Sequence, residues 1–276
     1  MLFLRSLFIA VLFGWINLHH GFAQITCESL NASINTGFAE DSPSISNDGK
    51  ALIFLRSKSD DWPSSIYKHA YWASLETNEV QKLTSFGDSL YTISFGKDDR
   101  TILFSKRIVH QDGDQIVLYR AELDSGIWKT INLTERYGLK GSYAHEVADG
   151  SLYFYDFEGE KGSGIYRAQF LNPGFNEPQW QGDNISTKGT TAFDAWVAKH
   201  ESWMIYSKYF EDTTEEMKSG FYHARKNDNG WQSARIDILP YGWGASLSMK
   251  SGYFYFTDGD DILQCPISSL NLPFGN

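Results

Sequence analysis

The sequence contains no clustered run of lysine and arginine, and this absence sets the first limit on function. Of its 276 residues, 24 are Lys or Arg and 34 are Asp or Glu, which gives a formal net charge of -10. A protein that binds the phosphate backbone of a nucleic acid needs concentrated positive charge. We therefore expect no nucleic-acid partner.

Several short catalytic and metal-binding motifs are also missing. There is no G-x-S-x-G nucleophile elbow, no H-E-x-x-H helix motif and no paired-cysteine zinc motif. Residues 46–49 miss the sialidase-type Asp box because the glycine comes one place early. The acidic segments 112–114 and 258–261 lack the regular ligand spacing of an EF-hand, so plain acidic turns are the favoured interpretation. We expect no metal and no cofactor.

A long apolar run occurs only near the N-terminus. Residues 7–16 are apolar, Arg5 supplies a positive charge before them, and residues 21–23 form a small-x-small cleavage pattern. This arrangement predicts a signal peptide at 1–23, and its apolar core is short for a membrane span. No small residue directly precedes Cys27, as a bacterial lipoprotein would require. We expect a periplasmic or secreted chain without membrane insertion.

The sequence does contain a repeat, and its period is nearly constant. An inner strand, a tight turn and an apolar second strand recur five times, most clearly at residues 42–56. The aromatic residue near the end of the second strand recurs in steps of 50, 50, 52 and 50 residues, at Phe54, Phe104, Phe154, Tyr206 and Phe256. A fixed period of this length in strand-rich sequence is typical of a β-propeller.

Third and fourth strands follow the motif in the first four copies, so each copy predicts a four-stranded blade. In the third copy the third strand is expected at 164–170, and polar surface loops are expected between second and third strands at 58–65, 110–114, 157–163 and 210–219. The sequence thus predicts an all-β, single-domain propeller over 24–276, with repeats at about 40–84, 88–134, 141–186, 190–238 and 241–270. The fifth copy lacks its fourth strand. The strand-like segment 24–34 is placed to supply it and to close the ring without an open edge.

Cys27 and Cys265 are the only cysteines. They are either two unrelated buried thiols or, if residues 24–34 complete the last blade, neighbours on adjacent strands. In the second case, a disulfide would stabilise the closed ring by roughly 3–5 kcal/mol in the chain-entropy model.

The repeats resemble the WD40-like PD40 repeats of the TolB-type β-propeller superfamily. The family pattern is roughly P-x-[IL]-S-x-D-G-x-x-[IL]-x-F-x-S, and it is matched by residues 43–49 with Leu52 and Phe54. Further matches are residues 164–166, 149–150 and 260–262. The resemblance implies a secreted or periplasmic protein that acts as a binding or scaffolding module. It transfers no catalytic residue, and it implies six blades where the repeat count favours five.

Candidate ligand-binding residues lie near the starts of the inner strands, where the central channel should open. They are Asp41, Tyr91, Tyr143, His145, Asp194, Trp196 and Trp243. A ring of aromatic and acidic side chains suits a sugar, a peptide or a cation, but ordinary packing between blades would also use such residues.

We therefore expect a monomeric, non-catalytic propeller that binds a protein or cell-envelope glycan ligand at its channel mouth. The alternative is a glycan-active hydrolase or lyase that uses carboxylates there, drawn from Glu40, Asp41, Glu146 and Asp194, with His145 beside them. A third possibility is a structural domain that acts only through its outer surface.

Overall fold

The computed structural model describes residues 27–57, 68–110, 113–212, 218–270 and 272, with the side chain of His110 excluded. The predicted signal peptide at 1–23 and the expected loop at 58–65 lie outside these residues.

Five antiparallel sheets of four strands follow one another around a central axis, and each sheet is one blade of a β-propeller. The chain enters with β1 (Glu28–Ser29). Blade 1 contains β2 (Glu40–Ile45), β3 (Ala51–Arg56), β4 (His69–Ser74) and β5 (Val80–Lys82). Blade 2 contains β6 (Leu90–Phe95), β7 (Thr101–His110), β8 (Gly113–Asp124) and β9 (Ile127–Asn132), followed by helix α1 (Leu133–Tyr137).

Blade 3 contains β10 (Ser142–Glu146), β11 (Leu152–Asp156), β12 (Gly164–Ala168) and β15 (Gln179–Trp180), with a small hairpin of β13 (Phe170–Leu171) and β14 (Gly174–Phe175) inserted. Blade 4 contains β16 (Thr190–Val197), β17 (Trp203–Phe210), β18 (Gly220–Asn227) and β19 (Gly230–Arg235). Blade 5 contains β20 (Trp243–Ser248), β21 (Tyr253–Thr257), β22 (Ile262–Pro266) and, from the N-terminus, β1. The prediction of five blades is confirmed.

The turn after each inner strand is built by the residues that the repeat places there. In blade 1, the Ser46 hydroxyl accepts the backbone N–H of Ala51 at 2.9 Å and donates to the Asp48 carboxylate at 2.6 Å. Gly49 follows with φ of +78°, and a Cβ there would lie 2.9 Å from the backbone nitrogen of Ser251 in blade 5. Only glycine fits both the backbone conformation and the space.

The repeated aromatic residues form the cores between the blades. All five are buried, with at most 2% of their surface exposed. The rings of Phe54 and Tyr71 on the neighbouring strand stack at 5.7 Å, and those of Phe104 and Tyr119 at 5.0 Å. The five apolar clusters each combine residues of two adjacent blades, so burial of these rings holds the blades to one another.

The ring closes through the N-terminal strand, as the sequence predicts. Strand β1 pairs with β22 through Glu28–Gln264 and Ser29–Leu263, and a disulfide joins Cys27 to Cys265 with their Cα atoms 4.5 Å apart. Next to it, the Asn35 side chain exchanges two hydrogen bonds of 2.9 Å with the backbone of Ile262. The strand covers only two residues, whereas the sequence pattern predicts one across 24–34; residues 24–26 lie outside the described part.

Two local expectations need correction. Where a surface loop is expected at 110–114, β7 and β8 stay paired as far as His110 and Gly113, and residues 111–112 lie outside the described part. The third strand of blade 3 ends at Ala168, and Phe170 belongs to the inserted hairpin instead. Within the described ranges, no helix is long and apolar enough to cross a membrane.

Candidate functional site

A backbone irregularity in the inner strands shapes the channel. In every blade, the pairing register between the inner strand and the second strand shifts at the same height along the channel. In four blades the first residue of this bulge has a positive φ: Ser42 at 50°, Tyr143 at 50°, Asp194 at 61° and Gly244 at 74°. Bulges re-aim side chains, and here they lie beside a narrow part of the channel with a cavity of about 30 Å³. That volume holds one or two water molecules.

This constriction divides the channel into two ends. We call the end at the starts of the inner strands the strand-start end. The opposite end, at the turns between inner and second strands, is the turn end.

At the strand-start end, Asp41 joins the first and last blades. Its carboxylate lies 2.6 Å from the Lys68 ammonium, and it accepts the indole N–H of Trp243 at 3.0 Å. Asp41 and Lys68 are both almost completely buried. Burial lowers the pKa of Lys68, and the nearby Asp41 charge opposes that shift. Asp41 and Trp243, two of the predicted site residues, are thus in contact, and this contact joins the first blade to the last.

Asp194 makes the corresponding link between blades 4 and 5, because its carboxylate accepts the backbone N–H of Gly244. Burial raises the pKa of Asp194 to about 8, the Asp41 charge adds to this effect, and the bond from Gly244 opposes it. A carboxyl with such a pKa is largely protonated near neutral pH.

Aromatic side chains line the strand-start end on blades 2 to 4. The rings of Tyr91 and Tyr143 lie 5.9 Å apart, and Tyr143 lies 5.6 Å from Phe193. Tyr91 also approaches the half-exposed Phe157 at 6.2 Å. Burial raises the pKa of both tyrosines, so they stay protonated at neutral pH. Tyr91 also borders a side cavity of about 430 Å³.

His145 and Trp196, which the sequence groups with the residues above, also line the turn end. In blades 1 and 5 the residue equivalent to His145 bonds to the next blade: Phe95 N–H donates to the Ser44 hydroxyl, and Ile45 N–H donates to that of Ser246. His145 Nε2 lies 2.8 Å from the Val197 carbonyl oxygen. Burial lowers the pKa of His145 to about 4. The ring is therefore neutral at pH 7 and donates through Nε2.

The channel widens at the turn end into a funnel of about 660 Å³. Its walls carry the apolar side chains of Phe95, Trp196, Trp203, Leu247 and Met249.

Three lysines from different blades border the same funnel: Lys97, Lys199 and Lys250. None of these lysines is among the site residues predicted from the sequence. Lys97 and Lys199 occupy the same place in two copies of the repeat, two residues after the end of the inner strand, and this was the available signal.

The carboxylates considered for hydrolysis all have protein partners. Glu40 lies 2.7 Å from Arg56, and Glu146 lies 3.1 Å from Arg120 while it accepts the backbone N–H of Lys97. Burial raises the pKa of both glutamates. Glu146 borders the funnel, whereas Asp194 borders the constriction. In the part of the chain that the structure covers, no group of three or more His, Cys, Asp or Glu could hold a metal ion.

No protein-family model matches the chain, and no curated protein matches it. A GH43_1 enzyme from Xanthomonas citri has a similar structure, with a TM-score of 0.52 at 12% identity over 88% of this chain and 91% of that one. A hypothetical protein from Leishmania major gives 0.50 at 12% identity, over 92% and 95%. TolB from Acinetobacter baumannii gives 0.48 at 15% identity over 82% of this chain, which spans only 54% of TolB.

At these identities the likeness concerns the fold alone. The chain is a five-bladed β-propeller. Membership of the PD40 repeat family remains a prediction.

Proposed function

We propose that this protein is a non-catalytic, ligand-binding β-propeller whose ligand occupies the turn-end funnel. The observation that carries this proposal is the funnel itself. Its volume of about 660 Å³ lies within the range of about 300–1,000 Å³ that is typical of ligand sites. Apolar walls with a few polar groups at the rim are also typical of such sites.

The strand-start end is less suited to a ligand. The buried polar groups there bind one another, as Asp41 does with Lys68 and Trp243, and Asp194 does with Gly244. A ligand that engaged Asp41 or Asp194 would have to displace bonds that hold adjacent blades together. We keep Tyr91, Tyr143 and Trp243 as proposed ligand contacts, but only for a second and less favoured binding surface at the strand-start end.

We further propose that the protein works outside the cytoplasm, as a periplasmic or secreted monomer with a protein or cell-envelope ligand. The disulfide supports this location, because such bonds persist in oxidising compartments. The predicted signal peptide at 1–23 and the resemblance to PD40 repeats agree with it.

One observation favours the rival function, a glycan-active hydrolase or lyase. Asp194 is protonated up to about pH 8 and lies near the Asp41 carboxylate, and such a pair is a common acid–base arrangement. The constriction of about 30 Å³ beside Asp194 is far too small for a sugar ring. An enzyme working there would lose turnover, but not its fold, when Asp194→Asn is introduced.

The funnel proposal is tested by filling the funnel from its rim. Met249 is 61% exposed there, so Met249→Trp should obstruct the funnel without disturbing a core. Ile127→Trp is the matched control, because Ile127 is 68% exposed on an outer strand outside the funnel. Ligand from a cell-envelope extract should be retained by the wild type and by Ile127→Trp but lost by Met249→Trp. Equal retention by all three proteins would place the ligand elsewhere.

A further inference from the structure

We propose that the funnel receives a tyrosine side chain that projects from a partner protein, with its hydroxyl group at the floor, where the funnel meets the constriction. This inference rests on the proposed function and adds the chemistry of the ligand. Three features of the funnel support it, namely balanced charge, a wall that suits an aromatic ring, and hydrogen-bonding groups at the floor.

The charged groups at the funnel are balanced against one another. The buried Glu146 carboxylate lies 3.1 Å from the Arg120 guanidinium and also interacts with the charge of Lys97. Lys250 of blade 5 interacts with the Asp48 carboxylate of blade 1. A charged ligand group that entered the funnel would lose its hydration without gaining a partner of opposite charge.

The remaining charges at the rim are exposed to solvent. Lys199 and Asp98 border the funnel, and Asp99 accepts the backbone N–H of Asn47 at 2.6 Å beside it. Water and salt screen exposed charges such as these, so they contribute little to the choice of ligand. The funnel should therefore select an uncharged group.

The wall of the funnel suits an aromatic ring. Trp196 is half-buried and held in place, because its ring packs against His145 at 5.6 Å and against Trp203 at 5.0 Å. The Met249 side chain at the rim is 61% exposed. Aromatic rings make favourable edge-to-face contacts with one another, and a methionine sulfur makes favourable contacts with ring edges. An aromatic side chain thus gains from both surfaces, whereas an aliphatic one gains from burial alone.

Two serine hydroxyls at the floor select an oxygen atom on that ring. Ser44 and Ser246 border both the funnel and the constriction, so they lie where the two meet. Each hydroxyl accepts a backbone N–H of the next blade, at 3.0 and 2.9 Å, and within the described part of the chain neither donates a hydrogen bond. Their protons can be donated to a phenol oxygen, which a phenylalanine ring does not offer.

His145 supplies an acceptor at the same height, since it also borders both the funnel and the constriction. Its Nε2 donates to the Val197 carbonyl oxygen at 2.8 Å, so Nδ1 of the neutral ring carries a lone pair. A phenol hydroxyl is both a donor and an acceptor. It can therefore accept a proton from a serine hydroxyl and donate its own to His145.

The size of the funnel favours a tyrosine carried by a chain over a free phenol. Turns from all five blades border the rim, through residues 47, 97, 148, 199 and 249. A single ring at the floor of a 660 Å³ funnel would leave Met249 in water, whereas the residues that flank a tyrosine would cover it. The constriction of about 30 Å³ is too narrow for a chain, so the ring must enter from the rim.

The test uses three labelled nine-residue peptides that are uncharged and identical except for the central residue, which is Tyr, Phe or Gln. Fluorescence polarisation measures their binding to the mature chain with its disulfide intact. The Tyr peptide should bind about tenfold more tightly than the Phe peptide, because the Phe peptide leaves the serine protons unpaired. The Gln peptide should not bind. Added salt should change the affinity of the Tyr peptide by less than about twofold.

Removal of the two serine hydroxyls provides the decisive variant. The double variant Ser44→Ala, Ser246→Ala should bind the Tyr and Phe peptides equally. Ser94→Ala is the matched control, because Ser94 holds the same place in blade 2 but donates its proton to the Ala144 carbonyl oxygen at 2.6 Å. It should keep the preference for Tyr. Both serines of the double variant also accept backbone N–H groups, so thermal denaturation must show that it is folded; the comparison of the peptides in the wild type needs no variant.

The outcomes separate this inference from the proposed function. If the folded wild type binds the Tyr and Phe peptides equally, or binds none of the three, the tyrosine inference is wrong. If N-acetyltyrosinamide competes as well as the unlabelled Tyr peptide, the ligand is a small phenol and the protein partner is wrong. In each of these cases the funnel function stands when Met249→Trp loses the ligand from the cell-envelope extract. If Met249→Trp leaves the retention of every ligand unchanged, the funnel function itself is wrong.

Discussion

The two ends of the central channel use similar side chains for opposite purposes. At the strand-start end, charged and aromatic groups bind to groups on neighbouring blades, as Asp41 does with Lys68 and Trp243. At the turn end, Lys97, Lys199 and Lys250 line a funnel of about 660 Å³, and the ion pairs found among the described residues do not include them. A polar residue near a channel is therefore informative about function only after its partners are known.

The largest expected effect comes from breaking the pair at the strand-start end. Asp41→Ala leaves the buried Lys68 ammonium without its partner, which should lower the free energy of unfolding by about 3–5 kcal/mol. Chemical denaturation measures this loss. Glu76→Ala is the control, because its pair with Lys50 is exposed to solvent and its loss should change the free energy of unfolding far less. Equal effects of the two variants would contradict the structural role assigned to Asp41.

The second prediction concerns the disulfide that closes the ring. Replacing both Cys27 and Cys265 by Ser should lower the free energy of unfolding by about 3–5 kcal/mol, because a bond across 238 residues restricts the unfolded chain. Reduced wild type should unfold at the same denaturant concentration as the double variant. Finding both thiols freely alkylated in protein made in an oxidising compartment would contradict the disulfide.

A third prediction compares two glycines with almost the same backbone conformation. Gly244 has φ of +74° and Gly252 has φ of +77°. A Cβ at Gly244 would lie 2.7 Å from Pro43 Cδ across the constriction, whereas nothing lies within 4 Å of one at Gly252. Both alanine variants incur the left-handed strain of about 1–3 kcal/mol, so Gly244→Ala should destabilise the fold more than Gly252→Ala by thermal denaturation. Equal losses of thermal stability in the two variants would contradict this prediction and would show that the backbone at the constriction can shift to make room for the added Cβ.

The smallest expected effect is a pH dependence of stability. The pKa of Asp194 rises in the folded state from 3.8 to about 8, so the native chain binds more protons than the unfolded chain between those values. The contribution of Asp194 to the free energy of unfolding should therefore fall as pH rises from about 4 to about 8.

His145 acts in the opposite direction, because its pKa falls from 6.5 to about 4 and its contribution grows with pH across that window. Above about pH 6.5, only the Asp194 effect remains of the two. Asp194→Asn should abolish the fall in stability between about pH 6.5 and 8, as measured by denaturation at several pH values. A fall of unchanged slope in this variant would mean that another group causes it.

The sequence predicts the architecture well because its signals are local and repeated. Turn residues such as Gly49 and buried aromatic residues such as Phe54 recur every 50 residues or so, and this recurrence is enough to predict blades. The missing fourth strand of the last copy predicts the closure, and with it the pairing of Cys27 and Cys265.

The sequence does not predict the arrangement of the site. The bulges add one residue to each inner strand. Of the bulge residues with positive φ, only Gly244 is a glycine, which the sequence could have indicated; Tyr143 and Asp194 adopt positive φ without any local sequence signal. The extra residue changes the alternation of side chains along the strand. His145 and Trp196 consequently border the opposite end from Asp41. The funnel itself depends on how five strands tilt around one axis, which no single repeat encodes.

The most direct test compares the two ends in one experiment. A photo-crosslinking residue is placed either at position 249 on the funnel rim or at position 157 at the strand-start end, where Met249 and Phe157 are both exposed. Each protein is then irradiated with its native cell-envelope material. The account predicts a discrete crosslinked species from position 249 and none from position 157. A species that forms only from position 157 would contradict it and place the ligand at the strand-start end.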